Sequence, residues 1–490
     1  MVTPFLPALR PLLAPMGFRS QNTARSLRQT TLAQIEQTLA PALPGDLLQK
    51  PDRGPHSRQR VFDLSRTFWG WVWQVLQANT SCREVVRQLQ ALLALHQQGS
   101  VAENTSAYCQ ARRKLPLALL QTAFRASAHS AEKAAPTTTL LQGRTLKIVD
   151  ASSARLPDTQ ANRLAFPPSE NQFGHRGFPI LKILALFSLA SGALLAQITG
   201  SLQVAEQRLL LGLKDYFQAG DVLVGDRAYG QFALIYWLRS LKVDLLARLN
   251  ARSRRVDFRK AIKRLGTQDG LFVWAKPKVP SKLLTAEQWD QVPQTLTVRI
   301  LHVRIHRPGF RTRELTLVTT LLDAQQYPAE EVLAAYGKRW RLEMGLDDLK
   351  TTLRMEMLHC QSPGLVHKEL LVYLTTHNLI RWLITQAART SKGNLERLSF
   401  KGALDAFRQW MMAWVQLRGN GRKDKRKRLW QELLQTLAAD LIPHRPERQE
   451  PRAVKKRTKY PYLNQNRHTY VERGSRNERR RIQRAKNTCA

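Results

Sequence analysis

The sequence predicts a mixed α/β core that follows a helical N-terminal region and precedes a basic tail. Two short apolar strands each end on an acid, TLKIVD at 145–150 and DVLVGD at 221–226. With the segments around them, they give three strands, a helix, a strand, a helix and a strand. That succession indicates one mixed sheet. At 490 residues the chain is too long for a single core, and we expect two or three domains.

The first domain is expected to span residues 1–135 and to be helical. Ser81, and then Thr105 or Ser106, are in position to cap two successive short helices. The second of these helices ends in a basic cluster that consists of Arg112, Arg113 and Lys114. Two short helices followed by basic residues are typical of a helix-turn-helix motif that contacts DNA. A helical bundle with a solvated basic end is an equally good interpretation.

The apolar run from Ile180 to Gly200 is nearly long enough to span a membrane. It contains Lys182 and a Ser191–Gly192 turn, so two buried strands joined by a tight hairpin explain it better. The segment VAEQRLLLGLKDYF that follows predicts a helix. This helix is expected to bury three leucines, Leu209, Leu210 and Leu213.

Residues 251–325 have a basic, alternating pattern that predicts strands. In TLTVRILHVRIH the apolar phase shifts between Ile300 and Leu301, which predicts a β-bulge. Helices are predicted from Pro328 onwards, and the tail at 418–490 is rich in lysine and arginine. Apart from LWQELLQTLAADLI, this tail has few aliphatic residues, so we expect it to be loosely ordered and held near nucleic acid by charge.

The charge of the chain is far from balanced. Lysine and arginine number 77 against 37 aspartates and glutamates, which gives a formal net charge of +40. Proteins with such an excess of positive charge usually bind a phosphate backbone, so we expect DNA as the ligand. Ribosomal binding or an anionic membrane surface would fit the charge alone. The hydrophobic content of 43% is ordinary for a folded protein.

Four cysteines, at positions 82, 109, 360 and 489, form neither a CxxC pair nor a zinc-finger spacing with the eleven histidines. This usage favours a reducing cytoplasm and gives no support to a disulfide framework. The first residues of the chain resemble a weak signal peptide, but their prolines interrupt the apolar run and favour a flexible arm. No membrane segment is expected.

The segment AAYGKRWRLEMGLDDLKTTLRME carries the most informative pattern in the chain. Steps of three, four and seven residues place four functional groups on one side of a helix: Tyr336, Arg339, Glu343 and Lys350. The opposite side carries an apolar stripe that would seat the helix on a core: Leu342, Leu346, Leu349 and Leu353. An Arg–Glu pair four residues apart often only stabilises a solvated helix, by roughly a few tenths of a kcal/mol. The functional interpretation is a carboxylate that meets a metal and a polyanion together.

Asp150, Asp226 and Glu343 form the candidate catalytic site. Carboxylates at strand ends lie at the rim of a sheet, where the backbone fixes them and solvent reaches them. If the three converge, they make an all-oxygen pocket suited to two Mg²⁺ or Mn²⁺ ions about 4 Å apart, which would activate the attacking oxygen and stabilise the leaving oxygen. Since a single strand-end aspartate is more often a turn or cap residue, the combination is what favours catalysis.

The spacing Tyr336-x2-Arg339-x3-Glu343-x6-Lys350 resembles the signature of the bacterial DDE transposases of the insertion sequence 4 family. The downstream motifs THNLIRW and PRAVKKRTKYPYL are also similar to that family. The resemblance covers roughly residues 60–465.

Two further residues carry the resemblance. Asp150, within IVDASSARLPDT, is similar to the first acid of the family, and Asp226, within GDRAYG, is similar to the second. One departure is Ala151, which stands where a glycine is common in the family.

The resemblance implies an RNase H-like catalytic core, formed by residues 136–250 and 326–417 and interrupted by the β-rich segment 251–325. It also implies cut-and-paste transposition, with two-metal hydrolytic nicking at transposon ends and then transfer of 3′-hydroxyl ends into target DNA. The Tyr, Arg and Lys of the signature would grip phosphates near the cleaved end. A tryptophan of the insertion, Trp274 or Trp289, would stack on a flipped base, although the protein core is the more ordinary place for either.

The implied partners are transposon ends, target DNA and a second copy of the chain bound to DNA, in a bacterial cytoplasm close to the nucleoid. Two other interpretations stay open. One is a basic DNA-binding protein without catalysis, and the other is a host RNase H-like nuclease with no preference for element ends. The charge fits all of them, whereas the ordered acids favour the transposase.

Overall fold

The structure, a computed structural model, describes residues 31–443 apart from positions 58, 59, 79, 96–101, 138, 169, 172, 173, 176, 250–255, 305–313, 392–394 and 418–421. The predicted N-terminal arm and most of the basic tail lie outside the described residues. Among the helices that are described, none is both long and apolar enough to cross a membrane.

Within the described residues, five helices precede the sheet, as the sequence predicts. They are α1 (Thr31–Leu39), α2 (Leu64–Leu76), α3 (Cys82–Leu95), α4 (Ser106–Lys114) and α5 (Leu117–Ala134). Asp63 caps α2 by accepting a hydrogen bond from the Arg66 amide, and Ser81 accepts one from the Glu84 amide at α3. Thr105 precedes α4 without a side-chain cap, so that detail of the prediction is wrong. The aromatic residues of α2 are buried: Phe68, Trp69, Trp71 and Trp73.

Nine strands form one sheet. They are β1 (Leu146–Arg155), β2 (Ile180–Ser188), β3 (Leu194–Gly200), β4 (Val222–Gly225), β5 (Asp244–Arg248), β6 (Lys263–Gly266), β7 (Asp269–Ala275), β8 (Thr295–Arg304) and β9 (Glu314–Thr319). Their order is β3-β2-β1-β4-β5-β9-β8-β7-β6. A separate two-stranded pair joins Glu170–Asn171 to Gly174–His175.

The pairing in this sheet is mixed. β1, β4 and β5 are parallel neighbours, and β2 and β3 add antiparallel strands on one side of them. On the other side, β9, β8, β7 and β6 follow as antiparallel neighbours. The mixed α/β class predicted from the sequence is therefore confirmed.

The remaining helices cover the sheet and extend beyond it. They are α6 (Gln160–Ala165), α7 (Glu206–Leu211), α8 (Phe232–Ser240), α9 (Ala286–Asp290), α10 (Ala329–Gly337), α11 (Trp340–Asp347), α12 (Pro363–Ser391), α13 (Phe400–Val415) and α14 (Arg422–Ala439). A π-helical turn, Asp348–Thr352, continues α11. Short 3₁₀ turns occur at Ala40–Ala42, Lys214–Tyr216, Phe258–Lys260 and Leu395–Arg397.

The hairpin predicted in the long apolar run is present as β2 and β3. Gly192 has φ 70° in the turn between them, a conformation that favours glycine. The charge that argued against a membrane span is satisfied inside the protein, because Lys182 Nζ donates to the carbonyls of Leu202 at 2.8 Å and Val204 at 2.6 Å. The three leucines expected in the buried side of α7 and just after it are also buried: Leu209, Leu210 and Leu213.

Two strand predictions are wrong. β1 does not end at Asp150 but runs on to Arg155, because β2 pairs with it along that whole length. β8 has no bulge, since its pairing with β7 and with β9 is continuous. Ile300 and Leu301 point to opposite faces of the sheet, and both faces are covered by apolar cores. Two consecutive apolar residues, Ile300 and Leu301, can therefore both be buried without a shift in the pairing register of β8.

The C-terminal region also departs from the prediction. α12 is the expected long buried helix, and α14 packs against both α12 and α13. Residues 422–439 of the tail are thus a helix, which three leucines anchor: Leu433, Leu434 and Leu437. Its basic residues that face solvent include Lys423, Lys425, Lys427 and Arg428.

Candidate active site

Strand register brings the first two predicted acids together. Ile148 of β1 pairs with Val224 of β4 in the parallel ladder, and Asp150 and Asp226 each lie two residues further on. They are therefore level with each other on neighbouring strands, whose axes are about 4.8 Å apart. Asp150 is in the middle of β1, where it also pairs with Ala185 of β2. Asp226 follows the last residue of β4.

Both carboxylates are held by local hydrogen bonds. Asp150 Oδ1 accepts from the Ala151 amide at 2.8 Å, and Asp226 Oδ1 accepts from the Ala228 amide at 2.7 Å. Burial raises the pKa of Asp150 to about 6, against the Ala151 hydrogen bond, and the negative charge of Asp226 raises it further. Arg339 acts in the opposite direction. A carboxylate with a raised pKa beside a second carboxylate gains stability when a cation binds.

The third acid lies on a helix that is broken. The sequence predicts one helix from Pro328, but α10 ends at Gly337, α11 begins at Trp340, and the π-helical turn follows α11. At the break, the Arg339 amide donates to the Tyr336 carbonyl at 2.9 Å, a three-residue step of 3₁₀ type. The prediction of one continuous helix is therefore wrong, although Arg339 still contacts both Tyr336 and Glu343. The π turn also shifts Lys350 out of the 3.6-residue repeat.

Distant contacts explain the break. Lys338 Nζ lies 2.6 Å from Glu396 Oε1, and Arg341 Nη1 donates to the Leu189 carbonyl at 2.6 Å. These two cations are held by parts of the chain that local periodicity does not include.

Glu343 is engaged by its neighbour on the helix. Arg339 Nη2 donates to Glu343 Oε1 at 2.9 Å, and the same guanidinium lies in the electrostatic field of Asp150. Burial alone would lower the pKa of Arg339, but Tyr336, Glu343 and Asp150 together raise it. Arg339 is therefore the cation that links the strand acids to the helix acid.

The other residues of the signature differ in burial. Tyr336 is buried, which raises the pKa of its hydroxyl, and it lies in the fields of Arg339 and Asp226. Lys350 is half-buried on the π-helical turn. Two apolar residues behind this region, Leu349 and Leu353, are buried as expected. The side chain of Leu342 lies outside the described residues.

The donor set fits a divalent cation only in part. Asp150 and Asp226 are the hard oxygen ligands that Mg²⁺ or Mn²⁺ prefers. Within the described residues, however, no three histidine, cysteine, aspartate or glutamate side chains are close enough to hold one ion together. Two of the three predicted acids are thus together, while Glu343 is paired with Arg339.

Glu206 is a fourth acid that the sequence analysis missed. It is the first residue of α7, and its carboxyl lies in the field of Asp226 and next to the hydroxyl of the buried Tyr229. Burial raises the pKa of Glu206, against the positive charge of Lys182. A sequence signal did exist, since Glu206 precedes the buried leucines of α7 by three, four and seven residues and so occupies an otherwise apolar stripe.

The predicted DNA-binding cluster at the end of α4 is smaller than expected. Arg112 is buried, and its guanidinium stacks on the Trp71 ring with Cζ 3.7 Å from the ring centroid. Its role as a surface contact to DNA is therefore wrong for this conformation. Arg113 and Lys114 are exposed, and their contact with DNA stays a prediction.

The two tryptophans of the predicted insertion are both in a core. Trp274 on β7 is 8% exposed and Trp289 on α9 is 6% exposed. Trp289 also accepts a cation–π contact from Lys276 Nζ, 5.2 Å from its ring centroid. This burial agrees with the core interpretation and leaves neither ring free to stack on a base.

Known proteins match the part of the chain that carries these acids. A family model described as transposase DDE domain matches residues 141–379, which include Asp150, Asp226 and Glu343. The chain is also 28% identical over 413 residues to the transposase InsG for insertion sequence element IS4 of Escherichia coli (strain K12), covering 82% of this chain and 88% of the relative. These two matches support a DDE transposase of the insertion sequence 4 type.

A solved structure, the cryo-EM structure of the piggyBac transposase synaptic complex with hairpin DNA, also matches this chain. The sequence identity is 9%, and the match covers 86% of this chain and 85% of the other. Its TM-score is 0.37, which is too low to support an argument about function.

Proposed function

We propose that the protein catalyses cut-and-paste DNA transposition. It binds transposon ends, cleaves phosphodiester bonds there and joins the 3′-hydroxyl ends to target DNA. The observation that carries this proposal is that Asp150 and Asp226 lie level on parallel strands within a transposase DDE domain. The Arg339–Glu343 pair supports it, because Arg339 is in the field of Asp150.

We propose that the catalytic core is RNase H-like. The order β3-β2-β1-β4-β5, with the first three strands antiparallel and β1, β4 and β5 parallel, supports this assignment. The core would comprise residues 136–250 and 326–417, with 251–325 as the insertion that extends the sheet from β5. Residues 1–135 and 418–490 would be the helical DNA-binding domain and the basic tail that contacts DNA.

Asp150 and Asp226 would hold Mg²⁺ or Mn²⁺, whose charge would offset the repulsion between the two carboxylates, and Glu343 would join them after it leaves Arg339. Bound ions of this kind, two in this proposal, lower the pKa of the attacking water or hydroxyl and stabilise the leaving oxygen. The register of the sheet brings Asp150 and Asp226 side by side, and the positive charge of Arg339 favours the deprotonated form of Asp150.

Arg339 would connect DNA binding to the completion of this acid site. Its fork of donors matches the oxygens of a phosphate as well as those of a carboxylate. When a DNA phosphate takes the guanidinium, Glu343 loses its partner and turns toward the strand acids. The break between α10 and α11 supports this role, since a short helix can reorient where a continuous one cannot.

The remaining contacts to DNA follow from charge and chemistry. The Tyr336 hydroxyl and the Lys350 ammonium would grip phosphates beside Arg339, and Arg113 and Lys114 would contact the backbone from the end of α4. Two transposon ends must be held together, so we propose a homodimer on DNA. The protein would work in a bacterial cytoplasm, close to the nucleoid.

The test is a Mg²⁺-dependent cleavage assay on DNA that carries the native ends of the element. We expect the wild-type protein to cut, and Asp226→Asn and Glu343→Gln each to lose at least about 10³-fold in rate, because each removes a carboxylate from the cation site. Asp215→Asn is the matched control. Because Asp215 is exposed, this variant should cut DNA like the wild type. All variants should still bind DNA that carries the element ends, and this binding serves as the control that they are folded.

Other results would point elsewhere. Undiminished cutting by both Asp226→Asn and Glu343→Gln would remove the proposed site. Equal cutting of DNA without element ends would favour a host RNase H-like nuclease, and binding without any cutting by the wild type would favour an inactive DNA-binding protein.

A further inference from the structure

Three thiols surround one buried arginine, away from the candidate active site. Arg112 Nη1 lies 2.9 Å from the sulfur of Cys82, and Arg112 Nη2 lies 3.4 Å from the sulfur of Cys360. Cys109, one turn before Arg112 on α4, is in hydrogen-bonding contact with Cys82. The group joins α3, α4 and the segment before α12, and the proposed transposition chemistry uses none of these thiols.

The surroundings of Cys82 favour its thiolate. Two N–H donors point at its sulfur, one from Arg112 and one from Gln74 Nε2 at 3.8 Å. Cys82 is also the first residue of α3, where the helix dipole favours a negative charge. The hydrogen bond from Cys109, together with the charge of Arg112, lowers the pKa of the Cys82 thiol to about 6, against the burial that raises it. The same hydrogen bond raises the pKa of Cys109, which acts as the donor.

The three thiols differ in access to solvent. Cys109 is exposed, Cys82 is partly exposed and Cys360 is buried. Burial and the nearby Glu369 carboxylate raise the pKa of Cys360. Only Cys82 therefore combines thiolate character with access, and only Cys109 is both accessible and in contact with it.

We propose that Cys82 and Cys109 form an oxidation site that reacts with hydroperoxides and closes to a disulfide. The Cys82 thiolate attacks the O–O bond of the hydroperoxide; its sulfur gains a hydroxyl and the other oxygen leaves as hydroxide or alkoxide. The Cys109 thiol then attacks the sulfenic sulfur, the S–S bond forms, and the hydroxyl leaves with the thiol proton as water. Two electrons pass from the two sulfurs to the hydroperoxide, and Cys360 takes no part.

The disulfide would have a consequence for the N-terminal helices. It would tie α3 to α4, the helix that ends in Arg113 and Lys114, and it would remove the thiolate that Arg112 contacts. The groups that would respond are the titratable and charged residues facing this site: Tyr108, Cys109 and Arg112 of α4, His359 and Cys360 of the segment before α12, and Glu369 of α12.

The test uses the full-length, reduced protein and an equimolar amount of hydrogen peroxide, followed by alkylation of the remaining thiols and peptide mass spectrometry. We expect a Cys82–Cys109 disulfide. Cys360 should stay reduced, so that it is alkylated once the protein is denatured. Cys109→Ser should instead trap a sulfenic acid on Cys82, which dimedone labels. In unoxidised protein, alkylation of Cys82 should have a midpoint near pH 6, compared with about 8.5 for an ordinary cysteine.

Cys360→Ser is the matched control, and it should oxidise like the wild type. The proposal is overturned when Cys82 and Cys109 remain reduced in the wild type under these conditions, or when the disulfide that forms includes another cysteine. It is also overturned when the alkylation midpoint of Cys82 lies near that of an ordinary thiol. None of these readouts uses DNA, so they stand apart from the proposed transposition chemistry.

Discussion

The strand part and the helix part of the candidate site are built in different ways. Asp150 lies in a strand paired on both sides, and Asp226 follows a strand also paired on both sides, so the register of the sheet fixes their positions. Glu343 lies on an eight-residue helix between a chain turn and a π-helical turn. Strand pairing therefore fixes the positions of two acids, whereas the position of Glu343 depends on a short helix and on its pair with Arg339.

The two parts of the site also differ in how their buried charged groups are paired. In the strand part, Lys147 of β1 donates to Asp221 Oδ2 at 2.6 Å and to the Tyr216 carbonyl at 2.7 Å, so its buried charge is matched. In the helix part, burial raises the pKa of Asp348 to about 7 and lowers that of Arg381 to about 10. The helix part, which we propose to move, therefore contains buried groups whose charged forms are disfavoured, as is common at functional sites.

The largest effect is expected from changing the length of an acid. Asp150→Glu moves a carboxylate by one methylene at a position that two strand ladders fix, and we expect cleavage to fall by at least about 10²-fold. Glu343→Asp makes a change of equal size on the helix that we propose to move, and we expect a loss of about tenfold or less. Rates of Mg²⁺-dependent cleavage at saturating DNA would measure both.

Equal losses in the two variants would break the contrast between a fixed and a movable acid. A larger loss for Glu343→Asp than for Asp150→Glu would reverse it. Asp215→Glu, at an exposed position, is the control and should cut like the wild type.

A smaller effect is expected on stability, at Asp348 in the π-helical turn. Its raised pKa means that burial favours the neutral carboxyl. Ionisation of Asp348 therefore costs the wild type no stability below about pH 4, and the full cost is reached as the pH rises through about 7. Asp348→Asn removes the ionisation, so it should raise the free energy of unfolding by about 2 kcal/mol at pH 8, half of the full value because the group is not completely buried. At pH 4 it should change little.

The control for this prediction is the neighbouring acid. Asp347 is exposed and accepts a hydrogen bond from Thr351 Oγ1 at 2.6 Å, so Asp347→Asn should change stability by less than about 0.5 kcal/mol at either pH. Denaturant unfolding at the two pH values measures both variants. A destabilised Asp348→Asn at pH 8 would mean that the charged carboxylate is favourable in the helix part.

Much of the sheet could be predicted because its signals are local. The apolar runs before Asp150 and Asp226 give β1 and β4, and the Ser191–Gly192 turn gives the hairpin of β2 and β3. The end of β1 was missed because residues 151–155 are only partly apolar, and pairing with β2 extends the strand through them. Asp150 and Asp226 could be named as candidates because each follows an apolar run, and their combination with Glu343 distinguishes them from ordinary turn residues.

What the sequence did not predict depends on distant contacts. The break at Arg339 reflects the hold of Glu396 on Lys338, which is 58 positions away in the chain. The burial of Arg112 depends on Cys360, 248 positions away. Glu206 is a single acid in an apolar stripe, and no spacing connects it to Asp226. Periodicity within one segment can mark Glu206 as unusual, but it does not show which distant residues these side chains meet.

The central claim is that Arg339 keeps Glu343 from the cation site until DNA takes the guanidinium. The most direct measurement is the Mn²⁺ dissociation constant without DNA, by isothermal titration calorimetry, for the wild type, Arg339→Ala, Glu343→Gln and the double variant. The account predicts that Arg339→Ala binds Mn²⁺ about tenfold more tightly than the wild type, about 1.4 kcal/mol, and that Glu343→Gln abolishes this gain. An Arg339→Ala variant that binds no more tightly, or a gain that persists in the double variant, would contradict it.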